Sequence, residues 1–87
     1  MCTYLTDTLA VSGSAKGTEG WSPLSQAVVY FDHPVHAPHE HTLNIDLTAP
    51  EGGARRVAVE LSARSARALA ETILAMLESP EVRQLER

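Results

Sequence analysis

The chain has 87 residues, 44% of them hydrophobic, with 7 basic and 11 acidic side chains and a formal charge of −4. That length allows one domain, residues 1–87, with one modest core. A net acidic chain with a single lysine, Lys16, offers no basic face to nucleic acid, and no run approaches the roughly 18 apolar residues of a membrane span.

Cys2 is the sole cysteine, so no disulfide forms within one chain, and that usage suits a reducing cytoplasm. The N-terminus lacks a charged segment followed by an apolar one, so secretion is not expected. Domains this small often draw stability from a metal ion or a partner chain.

Residues 3–11 are rich in β-formers, with Leu5, Leu9 and Val11 apolar, and are predicted as a strand that bends or is exposed near Asp7. Residues 12–20, dominated by glycine and serine, are predicted as a loop. Residues 26–33 form the second strand, with Ala27, Val29, Phe31 and His33 on one face and Val28, Tyr30 and Asp32 on the other. Both faces are apolar at the centre, which predicts an interior strand. Pro34 and Pro38 then interrupt the ladder, because proline donates no hydrogen bond. Residues 41–48 form the third strand, with Leu43, Ile45 and Leu47 opposite Thr42, Asn44, Asp46 and Thr48. A Pro50–Gly53 turn predicts a hairpin with the fourth strand, residues 55–61, whose Val57, Val59 and Leu61 point inward.

Ser62 is the expected N-cap of a helix running to about Glu78. Ala66, Leu69, Ala70, Ile73, Leu74 and Leu77 form its apolar stripe, and Arg64, Arg67, Glu71 and Glu78 take the solvent side. Ser79-Pro80 stops this helix and can cap one more short turn. The expected fold is α+β: a four-stranded antiparallel sheet with one C-terminal helix on one face. One helix covers only part of such a sheet, so a homodimer is expected.

All four histidines lie between His33 and His41, with Asp32 and Glu40 among them and Asp46 beyond. Imidazole is the commonest metal ligand, and carboxylates complete many mixed sites. Zinc or iron needs three or four such groups within about 2.0–2.2 Å of one ion. Hairpin pairing brings the ends of the loop, His33 and His41, together, and two prolines stiffen what lies between. The same loop is equally readable as a solvated or hydrogen-bonded structural element, since H-x-x-H outside a helix lacks a fixed register.

Other candidates are weaker. Asp32–His33 resembles an acid/base pair, but neighbours on a strand face opposite ways, and His41 with Asp46 is no better placed. Cys2 would be nucleophilic or chelating if Met1 were removed, though a free cysteine more often packs as a small apolar residue. The Gly13–Gly17 stretch lacks phosphate-loop spacing. Trp21 is expected to anchor this stretch to the core.

Met1-Cys2-Thr3, Gly13-Ser14-x-Lys16-Gly17 and Gly20-Trp21 precede a longer motif. It reads Tyr30-Phe31-Asp32-His33-Pro34-x-His36-Ala37-Pro38-x-Glu40-His41-x-Leu43-Asn44-Ile45-Asp46. Together these resemble a family of short bacterial proteins known as a domain of unknown function. The resemblance spans nearly the whole chain and implies a stand-alone domain without an assigned activity, cofactor or substrate. Its pattern specifies His33, His36 and His41 and leaves the His39 position free.

The leading expectation is a small zinc- or iron-binding domain, with His33, His36 and His41 as ligands and Glu40, Asp32 or Asp46 completing or orienting the set. An open metal position would allow hydrolase, lyase or isomerase chemistry. The alternative is a non-catalytic module, homodimeric, that binds a small-molecule ligand or a partner protein and carries a structural histidine loop.

Overall fold

The structure, a computed structural model, describes residues 5–49 and 56–86. Four strands, β1 (Leu5–Gly17), β2 (Gly20–Asp32), β3 (Thr42–Thr48) and β4 (Arg56–Leu61), are followed by α1 (Ala63–Leu77) and α2 (Pro80–Leu85). The sheet is antiparallel in the order β1-β2-β3-β4, the α+β architecture expected from the patterning. A second short helix is added to the expected one.

Alternation sorts the side chains into two faces. The rungs Phe31–Leu43–Leu61 and Val29–Ile45–Val59 make one face apolar. The rungs Tyr30–Asn44–Glu60 and Asp32–Thr42 make the other polar. α1 lies on the apolar face. Ser62 caps it, its Oγ accepting the Ser65 backbone N–H at 3.1 Å. Ser79 caps α2 in the same way through the Val82 N–H, with Pro80 in the first turn, where a missing N–H costs nothing.

Residues 12–20 are not a loop. β1 and β2 continue as a two-stranded arm beyond the last β2–β3 rung, Gln26–Thr48, and turn only at Thr18-Glu19. The backbone ladder needs no large side chains, so glycine and serine are tolerated in an arm that lacks a third strand. Gly20 leaves the turn at φ +101°, a conformation strained for any residue with a β-carbon. Asp7 lies in the expected exposed stretch and pairs regularly with Val29 without a bend; the irregularity in β1 is a bulge in which Val11 and Ser12 oppose Ser25. Trp21 is 68% exposed on the arm and does not anchor it to the core.

The interior is thin. The buried apolar residues among those described are Ala27 and Ala49, and no residue of α1 is buried. The Cα radius of gyration is 14.6 Å, against about 12 Å for a compact domain of this length. Among the described residues, no helix is long and apolar enough to cross a membrane. Cys2, the Pro50–Gly53 turn and the expected strand residues 3, 4 and 55 lie outside the described residues.

Candidate functional site

The β2–β3 connection leaves the sheet at Asp32 and returns at Thr42, the last β2–β3 rung. Between them the chain has no partner strand, so its backbone N–H groups need other acceptors. Glu60 on β4 supplies one. Its Oε2 accepts the Val35 N–H at 2.6 Å, and its Oε1 accepts those of His36 at 3.0 Å and Ala37 at 2.9 Å. Three successive N–H groups thus cradle one carboxylate. The bonds from Val35 and then Ala37 hold the Glu60 carboxyl below the usual glutamate value; desolvation opposes them, and the His36 N–H adds to the lowering.

Beneath lies a buried polar layer of Asp32, Thr42 and Asn44. The Thr42 hydroxyl donates to Asn44 Oδ1 at 2.7 Å, and Asp32 Oδ1 accepts the His33 backbone N–H at 2.6 Å. Asp32 therefore meets the backbone of His33. Asp46 accepts the Tyr30 hydroxyl at 3.3 Å.

The rings of His33 and His41 meet across the mouth of the loop, 4.6 Å between centroids and tilted by 34°. His41 also stacks on Phe31 at 6.0 Å, which places the pair toward the helix-bearing face. His33 Nδ1 lies 3.1 Å from the Glu40 carbonyl oxygen. A carbonyl only accepts, so Nδ1 is the donor in this contact. Glu40 Oε1 approaches His41 Nδ1 at 4.0 Å. His36 and His39 are exposed, and the His39 N–H donates to the Ala37 carbonyl at 2.9 Å.

The sequence candidates are thus divided. His33 and His41 come together, Asp32 and Asp46 belong to the opposite face, and His36 is held by its backbone against Glu60. Among the described residues, no group of three or more His, Cys, Asp or Glu side chains is arranged to hold a metal ion.

A second feature lies under α1. A groove of about 490 Å³ separates the helix from the sheet, floored by Val29, Phe31, Leu43, Ile45 and Leu61 and walled by Ala66, Leu69, Ala70 and Ile73. Arg67, expected on the solvent side, also lines it. Leu69 and Ile73 remain 47% and 49% exposed although they face the sheet, so the helix does not close over it. Phe31 lies at once in the groove floor and against His41.

Sequence reasoning missed both Glu60 and the groove. Glu60 reads as an outward-facing strand residue; asking where the N–H groups of residues 35–37 find acceptors would have pointed to it. No pattern in the chain signals the distance at which α1 stands off the sheet. No curated protein and no solved structure matches the chain. A family model matches residues 1–86, and the chain belongs to that family of unknown function, DUF6295.

Proposed function

We propose that this chain is a non-catalytic binding module whose working surface is the groove between α1 and the sheet, with the histidine loop as a structural closure. The observation that carries this reading is the open groove, whose apolar walls stay half exposed to water. Its volume falls in the range of ordinary binding sites, about 300–1,000 Å³. Water-exposed apolar surface of this kind gains free energy when a ligand or partner covers it. The loop's backbone is occupied by Glu60, which supports a bracing role.

The test is Ile73→Glu, which places a charge in the groove wall. Wild-type protein is expected either to bind an environment-sensitive apolar dye or to associate, and the variant is expected to lose that behaviour. A wild type that does neither and matches Ile73→Glu in both measurements overturns the reading.

A zinc- or iron-binding function is the second reading, favoured by His33. Metal-ligating histidines commonly give their other ring N–H to a carbonyl, the arrangement of His33 with Glu40. His41 would be the second ligand, with Glu40 or His36 brought in by loop movement. Open positions on such an ion would permit catalysis. Protein purified without a histidine tag is expected to carry zinc or iron, or take it up on titration, and to lose it in His33→Ala and His41→Ala. Sub-stoichiometric metal with no affinity for added zinc or iron overturns this reading and leaves the first intact.

A further inference from the structure

We propose that the β2–β3 loop is a strap that holds the groove open, with Glu60 and His41 as its two positioning residues. This rests on the groove being the working surface and names what controls it.

The strap is tied at both sides of one rung. Toward the start of α1 the groove ends on the rung Phe31–Leu43–Leu61 and on Ala63. The His41 ring stacks on Phe31, the β2 member of that rung, at 6.0 Å. Glu60 holds the N–H groups of Val35, His36 and Ala37 at 2.6, 3.0 and 2.9 Å, and it immediately precedes Leu61, the β4 member. His33 links the two ties, with its ring against His41 and its Nδ1 donating to the Glu40 carbonyl. The loop therefore runs from β2 to β4 past the end of β3, fastened beside both outer residues of the groove floor.

The effect reaches α1 because β4 ends at Leu61 and α1 begins at Ala63, with Ser62 alone between them. Ser62 is also the helix cap, so this connection has no slack. Where β4 ends thus decides where the helix is rooted. Leu69 and Ile73, about half exposed, would gain free energy by closing onto the sheet. Their exposure fits a helix whose root is held against that pull. Loss of either tie lets the rung shift and the helix settle, and the preformed groove is lost with it.

The experiment follows the binding of Nile red, a neutral apolar dye, to the full chain, beside amide hydrogen exchange at Val35, His36 and Ala37. Glu60→Ala and His41→Ala are each expected to weaken dye binding about five-fold. Thr42→Val, which lowers stability without removing either tie, is expected to bind as wild type does. Coupling is reciprocal, so saturating dye is expected to slow exchange of the three loop amides in wild type by the same factor. Loop amides exchange by local opening, so a dye that only stabilises the whole fold leaves them unchanged. Unchanged loop amides in dye-saturated wild type, unchanged affinity in either strap variant, or equal weakening in Thr42→Val overturns the strap. If the dye still binds and Ile73→Glu abolishes that binding, the binding-module reading stands without it. A wild type that binds no dye also overturns the strap, and association lost in Ile73→Glu then decides the binding-module reading alone.

Discussion

Glu60 on β4 and Ala37 in the β2–β3 loop, 23 residues apart in sequence, are joined by a 2.9 Å hydrogen bond from the Ala37 N–H to Glu60 Oε1. With the bonds from Val35 and His36, it converts a proline-containing loop into a fixed closure over the polar face. Glutamine at this position keeps the shape but halves the acceptor capacity and removes the charge. In Glu60→Gln the amides of residues 35–37 are expected to exchange with solvent about ten-fold faster, while those of β3 stay unchanged. Hydrogen exchange read residue by residue checks this.

The same carboxylate sets a pH dependence. Its folded-state pKa is lowered, first by the Val35 N–H and then by that of Ala37. The loop stabilisation is therefore full above the unfolded glutamate value of about 4.3 and is lost as pH falls through the folded value. Amide protection at residues 35–37 is expected to decline with acid in that window, and the decline to vanish in Glu60→Gln. Equal acid sensitivity in both proteins would count against the bond.

The Thr42 hydroxyl and Asn44 Oδ1 form a buried pair at 2.7 Å. Thr42→Val keeps the shape and removes the donor, leaving a buried acceptor short of a partner. A loss of about 1–3 kcal/mol is expected, read as a lower denaturant midpoint with an unchanged slope.

Ser62 accepts the Ser65 N–H and starts α1. Ser62→Ala is expected to cost about 1 kcal/mol of stability and to reduce helical circular dichroism on warming before the sheet signal changes. If α1 stays equally helical to the same temperature, the cap matters less than its geometry indicates.

Much of the fold was legible from short-range pattern. Alternation in residues 41–48 and 55–61 put Leu43, Ile45, Leu47, Val57, Val59 and Leu61 on one face, and β3 and β4 pair antiparallel as expected. Both helix starts follow from serines whose hydroxyls meet the free N–H groups of a first turn. The arm was misread because glycine and serine carry loop statistics, whereas its ladder is made by backbone groups that composition does not report.

By itself, then, the sequence determined the order ββββα, the apolar and polar faces and the caps, all of them consequences of contacts within a few residues. Only the tertiary structure decided that Glu60 reaches back to residues 35–37, that the His33 and His41 rings meet over Phe31 while Asp32 faces away, and that α1 stands clear of its sheet. Those relationships depend on the path of a loop and on how deeply a helix docks, which are set by the summed shapes of residues far apart in the chain.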